Sequence, residues 1–183
     1  MQCLHREGIV HGDVRPESLL YQTPSPNSPL KLRDVSLSKL SPSTFTAFYL
    51  APEKGRCKGD GIEEDIWSLG IVLYIMLCGL EPSESGRRLS LCGFSLPWWD
   101  DISGSAKELI QQLLEESPEN RISASKALQH PWVNGDTSNV HHMPTTVERL
   151  KEFNARHKFR AATKAVLATH RLGISPQMKK NAR

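Results

Sequence analysis

The sequence predicts a mainly α fold that carries one small β-hairpin and ends in an appended basic helix. Three observations lead there. Residues 63–80, EEDIWSLGIVLYIMLCGL, are apolar on nearly every side, as a helix buried all round must be. Residues 105–116, SAKELIQQLLEE, place Leu109, Ile110, Leu113 and Leu114 on one helical face. Only two short β-prone runs stand out, Leu19–Tyr21 and Leu30–Arg33, and the prolines and Asn27 of QTPSPNSP between them favour a turn.

Taken in order, the chain after the hairpin, DVSLSKLSPSTFTAFYLAPE, has no sustained period and is rich in Ser and Thr, so it reads as a loop running to Glu53. The apolar run from Ile66 to Leu80 contains Ser68, Gly70 and Gly79 and is too short for a membrane span, which needs about 20 apolar residues. A buried helix is therefore expected there, and no span. Residues 81–101, EPSESGRRLSLCGFSLPWWDD, read as mostly irregular. Ser105 and Glu108 stand at capping-box spacing and are expected to open the amphipathic helix. Ser123 caps a short helix in ASKALQHPW, which Pro131 stops. A last helix is expected from Thr146 to Arg171, with Val147, Leu150, Phe153, Phe159, Val166 and Leu167 set among basic residues, a segment that docks on the body or on a partner. No internal repeat interrupts this order.

The chain is long enough, at 183 residues, for one domain with a core and an extension. Hydrophobic residues at 38% and charged residues at 23% exclude a wholly disordered or collagen-like chain. Cys3, Cys57, Cys78 and Cys92 show neither C-x-x-C pairing nor metal-ligand spacing, which favours free thiols in a reducing compartment and argues against zinc. The opening MQCLHREGIVHGD has no basic segment followed by a long apolar one, so no secretory signal is read and an intracellular address is expected. Residues 153–183 hold eight Lys and Arg and no Asp or Glu; taking those eight from the net +3 leaves −5 on residues 1–152. A basic tail on a mildly acidic body predicts an acidic partner or surface for the tail.

The motifs then give a direction. His11, Asp13, Pro16 and Glu17, followed by Asp34, Ala51–Glu53 (APE), Asp65–Gly70 (DIWSLG) and Arg121, occur in the order found in the C-terminal lobe of protein kinases. GIVHGDVRPESLLYQTP, SLPWWDD, ALQHPWV, EFNAR and KAVLATHRLG further resemble the calcium/calmodulin-dependent protein kinases, type IV in kind, over nearly the whole chain. The resemblance implies a truncated kinase C-terminal lobe at 1–133, a linker at 134–145, an autoinhibitory and calmodulin-binding segment at 146–173 and a tail at 174–183.

Phosphoryl transfer asks a protein mainly to position and neutralise. Asp13 would by resemblance be the catalytic base and Asp34 the main magnesium ligand, with ATP and Mg²⁺ as cofactors. Arg15 stands where the family has a phosphate-contacting Lys, and Ser18 where it has the magnesium-binding Asn. Glu53 and Arg121 match the family's buried ion pair, and Asp65 the residue tying the buried helix to the catalytic loop. RHKFRAATKAVLATHRLG lines up with the calmodulin-binding segment: Arg156, Lys158, Arg160 and Lys164 would meet calmodulin's acidic rim, and Phe159, Val166 and Leu172, at relative positions 1, 8 and 14, its apolar grooves. Anionic lipid or nucleic acid is the other reading of a basic helix, and the positional match favours Ca²⁺/calmodulin over both. TVERLKEFNAR just before it would be autoinhibitory; protein substrates and a cytoplasmic and nuclear setting follow by family.

The departures are unequal. Arg15 keeps charge but replaces a compact ammonium by a planar fork. Ser18 offers one oxygen on a shorter arm, and Gly12 stands where the family has an Arg that pairs with a phosphorylated activation loop. Val35 and Ser36 replace the Phe and Gly of D-F-G. No glycine-rich loop and no V-A-I-K lysine precede His11, so the N-terminal lobe is expected to be absent from this chain. The activation segment is short, with Pro42 near the place of an activating Thr and Thr46 in the lead-in, and residues 78–99 are too few for a substrate-docking helix. Two functions are thus expected: a Ser/Thr kinase by ancestry, impaired or inactive in this chain, and, as the alternative, a non-catalytic, pseudokinase-like module that binds Ca²⁺/calmodulin.

Overall fold

The computed structural model describes residues 1–25, 27–35, 49–53, 61–80, 99–135 and 144–171. Within them lie α1 (Gln2–Arg6), a 3₁₀ turn (Pro16–Ser18), β1 (Leu19–Tyr21), β2 (Leu30–Leu32), α2 (Ile62–Cys78), α3 (Gly104–Leu113), α4 (Ala124–Leu128), α5 (Pro131–Asn134) and α6 (Pro144–Arg171). The fold is mainly α with one two-stranded antiparallel sheet, as the sequence predicts. Leu19 faces Leu32, Leu20 faces Lys31 and Tyr21 faces Leu30. Among the described residues no helix is long and apolar enough to cross a membrane.

Helix α2 is the centre. Glu63, Glu64 and Asp65 fill its first turn, where carboxylates suit the positive end of the helix dipole. Beyond them Ile66, Trp67, Ile71, Val72, Tyr74, Ile75 and Leu77 are buried on successive sides. One side meets Trp99, Ile102, Ile110 and Leu114, with the Tyr74 and Trp99 rings 4.9 Å apart. Another meets Leu109, Leu113 and Ala124 through Ile66. A third is covered by α6, whose Phe153 is buried in the same core. At the end of α2, a Cβ on Gly79 would collide with Arg149 of α6, so the two helices cross there without a side chain between them.

Three boundaries differ from expectation. Helix α3 is capped two residues before Ser105: Ser103 is its cap, accepting from the Ala106 amide at 3.2 Å, because Ile102 just before it is drawn into the core and sets the entry of the chain. Pro131 opens α5, with His130 Nδ1 accepting from the Trp132 amide at 3.3 Å; proline at the first helical position has no amide hydrogen to lose. Helix α6 begins at Pro144, two residues before Thr146, for the same reason. Ser123 caps α4 as expected, accepting from Lys126 N at 3.3 Å. The expected loop at 36–48, the irregular stretch at 81–98, most of the linker and the tail lie outside the described residues, as do Ser36, Pro42, Thr46, Cys57, Cys92 and Leu172.

Two outcomes follow from this packing. A Cβ on Gly70 would lie 2.8 Å from Leu114 Cδ2 and 2.9 Å from Leu113 Cβ. Gly70→Ala gains about 1 kcal/mol of helix propensity and loses about 1–3 kcal/mol to overpacking, so urea unfolding should show a net loss. Burial pushes the Cys78 thiol from 9.0 up to about 11. With Cys3 exposed, iodoacetamide at pH 8 should label Cys3 in the folded chain and Cys78 only after denaturation, because the thiolate is the nucleophile.

Candidate functional site

The loop from Ile9 to Ser18 is held to α2 by one carboxylate. Asp65 Oδ2 accepts from the His11 amide at 2.8 Å and Oδ1 from the Gly12 amide at 2.8 Å, while His5 Nε2 of α1 lies 3.0 Å from Oδ2. Asp65 is 1% exposed, so these three contacts stand in for its hydration. His11 is fully buried; its Nδ1 accepts from the Asp13 amide at 3.2 Å, which leaves the proton on Nε2 to donate to Arg33 O at 2.9 Å. One buried imidazole thereby ties the loop to the residue before Asp34.

The four residues assigned to phosphoryl transfer fall on this loop and at the exit of β2. Asp13 Oδ2 lies 3.1 Å from Arg15 Nε, an ion pair by distance without hydrogen-bond alignment, and Asp13 Oδ1 is buried with no hydrogen-bond partner. The cavity beside Asp13, lined by Val14, Tyr49, Ala51 and Ser68 among others, has about 10 Å³ of free volume, room for one water at most. Ser18 Oγ donates to Arg15 O at 2.8 Å and accepts from Arg15 N at 3.1 Å, and the residue is 2% exposed. Its hydroxyl closes the turn that carries Arg15. Asp34 adopts φ +64, unusual for a residue other than glycine and a mark of a constrained position; its Oδ2 takes Arg33 Nε at 2.6 Å.

Magnesium asks for hard oxygen donors that converge. Ser18 is turned inward and Asp34 is engaged by its neighbour, and among the described residues no group of three or more His, Cys, Asp or Glu could hold a metal. These donors do not fit a magnesium site as they stand.

Arg121 and Glu53 come together. Arg121 Nη1 lies 2.5 Å from Glu53 Oε1 and Nη2 lies 3.0 Å from Oε2, a two-pronged pair. Nη1 also donates to Glu63 O at 2.7 Å and Nε to Glu115 O at 2.9 Å, with the guanidinium 5.1 Å from the Trp67 ring centre. One side chain joins the segment ending at Glu53, the start of α2 and the end of α3.

Helix α6 divides in two. Its inner part is docked: Thr146 Oγ1 donates to Leu77 O at 3.2 Å, Phe153 is 4% exposed, and His157 Nδ1 lies 3.2 Å from Glu17 Oε1 on the loop. Phe153 and His157 stack with ring centres 4.7 Å apart. A groove of about 350 Å³ runs between them and Arg15 and Pro16. Further out, Phe159 is 73% and Val166 67% exposed, and Arg156, Lys158 and Arg160 are exposed as well. The Lys164 side chain and Leu172 lie outside what is described.

Some of these partners escape sequence reasoning. The carbonyls of Glu63, Glu115 and Leu77 carry no residue signature, and the His5 and Glu17 contacts depend on how α1 and α6 pack.

A loop bound to a buried central helix through its Asp, a buried Glu–Arg pair and a second Asp after the hairpin define a class, and comparison with known proteins agrees: the protein kinase domain family matches residues 1–133, and the chain belongs to the protein kinase family. More particularly, it is similar to calcium/calmodulin-dependent protein kinase type IV, 47% identical to the mouse and human proteins over 93% of this chain and 40% and 39% of theirs. It is 38% identical to rat calcium/calmodulin-dependent protein kinase type 1B over 95% of this chain and 56% of that protein. The chain thus spans about two fifths of the length of its type IV relatives.

Removing one partner of a buried pair leaves the other charge uncompensated, at about 3–5 kcal/mol. Arg121→Ala should lower unfolding stability by that amount, and Arg121→Lys should recover little of it, because a single ammonium cannot reach Glu53, Glu63 O and Glu115 O as a planar fork does.

Proposed function

We propose that this chain is a Ca²⁺/calmodulin-binding member of the protein kinase family whose own phosphoryl transfer is impaired. The observation that carries the reading is the division of α6: docked through Thr146 and Phe153, it presents Phe159 and Val166 to water among Arg156, Lys158 and Arg160. Large apolar side chains held in solvent on a basic helix suit a partner with an apolar groove and an acidic rim, the recognition mode of calmodulin. Similarity to calmodulin-dependent kinases supports that choice over lipid or nucleic acid.

Impairment is supported by the loop itself. Arg15 sits against the carboxylate that would act as base, Ser18 is committed to the turn, and Gly12 carries no cation. The second reading, turnover with Asp13 accepting a proton from a substrate hydroxyl, is favoured by Asp13 Oδ1, a buried oxygen without a hydrogen-bond donor.

Two assays decide. With Mg-ATP and an R-x-x-S peptide, the chain should transfer no labelled phosphate above background; transfer that Asp13→Asn abolishes would establish turnover instead. Calmodulin should bind at micromolar concentration or tighter with Ca²⁺ and not with chelator. Since burying each anchor is worth about 1.5–3 kcal/mol, the Phe159→Ala/Val166→Ala variant should lose at least about 100-fold; unchanged affinity would exclude this helix as the site.

A further inference from the structure

Three hydroxyls sit in the turn between β1 and β2. Residues 22–29 read QTPSPNSP, so Thr23, Ser25 and Ser28 each stand directly before a proline. The chain holds no charged side chain over residues 19–30. Kinases that select an acceptor by flanking Arg, Lys, Asp or Glu find nothing to read there. A hydroxyl followed by proline is a different signal. Proline has no amide hydrogen, so it enters an apolar pocket that offers no acceptor, where any other residue would strand an N–H away from water.

The fold treats the three hydroxyls differently. The neck of the turn is closed by Gln22 N donating to Pro29 O at 3.0 Å and Thr23 N donating to Ser28 Oγ at 2.7 Å. Ser28 is half-buried and its oxygen is part of that closure. Thr23 Oγ1 accepts from the Ser25 amide at 3.4 Å. Ser25 is exposed, and among the described residues its Oγ has no hydrogen-bond partner. Proline stands on either side of it in the sequence; the one that follows disfavours helical backbone at Ser25 and biases it toward the extended form in which a kinase takes a substrate segment. Across the tip the Ser25 carbonyl accepts from Ser28 N at 3.0 Å, a turn bond on an exposed residue, which opens at low free-energy cost.

We propose that Ser25 is a phosphorylation site for a proline-directed Ser/Thr kinase, and that the mark adds charge at the hairpin tip without disturbing the packed body. The γ-phosphoryl group of ATP passes to Ser25 Oγ: a P–O bond forms there, the bond from the γ-phosphorus to the β–γ bridging oxygen breaks, ADP leaves, and the hydroxyl proton passes to the modifying enzyme's base. The product carries about 1.5–2 negative charges on a stretch that had none. Tyr21 and Leu30, the strand pair next to the turn, are 69% and 55% exposed, so the phosphate keeps its water and no buried group loses a partner. A phosphate on Ser28 would instead occupy the oxygen that receives the Thr23 amide and load the neck of the turn. The contacts of Asp65, Arg121 and Phe153 involve none of these turn residues. The site stands whether or not the chain binds calmodulin or turns over ATP.

The test uses the full chain. Incubated with Mg-ATP and an active mitogen-activated protein kinase, it should acquire phosphate at Ser25 at least tenfold faster than at Thr23 or Ser28, read by mass mapping over time. A parallel incubation without the added kinase gives any transfer by the chain itself, which is subtracted. Pro26→Ala should slow modification of Ser25 at least tenfold, because the restored amide hydrogen meets no acceptor in the modifying enzyme. Absence of phosphate at Ser25, or modification of Thr23 or Ser28 as fast as Ser25, overturns the assignment. An unchanged rate in Pro26→Ala overturns the proline-directed reading. Urea unfolding of the phosphorylated chain should keep the midpoint of the unmodified one; a lower midpoint overturns the claim that the mark leaves the body untouched.

Discussion

Burying a helix on every side obliges its polar groups to find partners, and the partners found by α2 attach the loop, the segment before Glu53, Arg121 and α6 to it. Asp65 takes the amides of His11 and Gly12. Ser68 Oγ reaches Tyr49 O at 2.8 Å and Glu64 O at 3.0 Å, fastening the segment that leads to Glu53. Glu63 O receives Arg121, and Leu77 O receives Thr146 of α6. Most of these are buried donor–acceptor pairs, those of Gly12 and Arg121 partly so, and loss of a buried one would leave a group without water or partner, at about 1–3 kcal/mol. The helix is therefore both the core and the frame on which loop, ion pair and C-terminal helix are set.

That frame explains why scaffold and chemistry separate in this chain. Asp65, Arg121 and Glu53 are held by burial and would be needed by any protein with this arrangement, whether or not it turns over substrate. Asp13, Arg15, Ser18 and Asp34 instead make their contacts with one another and with near neighbours: Arg15 with Asp13, Ser18 with Arg15, Asp34 with Arg33. Such local pairs keep the loop in shape. The same separation recurs in α6, where a buried face fixes position and the outer half is exposed.

Much of this was legible in the sequence. All-round apolarity identified α2, i, i+4 spacing identified α3, and two β-prone runs around a proline-rich turn identified the hairpin, since each is a local property. Ser103 and Ser105 both stand shortly before the apolar face of α3, and burial of Ile102, a tertiary matter, makes Ser103 the cap. Ordered motifs brought Glu53, Asp65 and Arg121 into view, but the carbonyl acceptors around Arg121 have no residue signature. The division of α6 was available from geometry: Thr146, Leu150 and Phe153 share one face, and Phe159, six residues past Phe153, lies about 120° round the helix. Residue type alone could not say which phenylalanine would be buried.

Hydrogen exchange of the 183-residue chain tests the central role of α2 most directly. The account predicts that the amides of His11 and Gly12, though in a loop, exchange as slowly as those in the middle of α2, because both donate to a carboxylate rooted in it, and that Asp65→Asn speeds them without melting the helix. Amides from Lys158 outward along α6 should exchange orders of magnitude faster. Rapid exchange of His11 and Gly12, matching that outer half, would contradict the claim that the buried helix holds the loop.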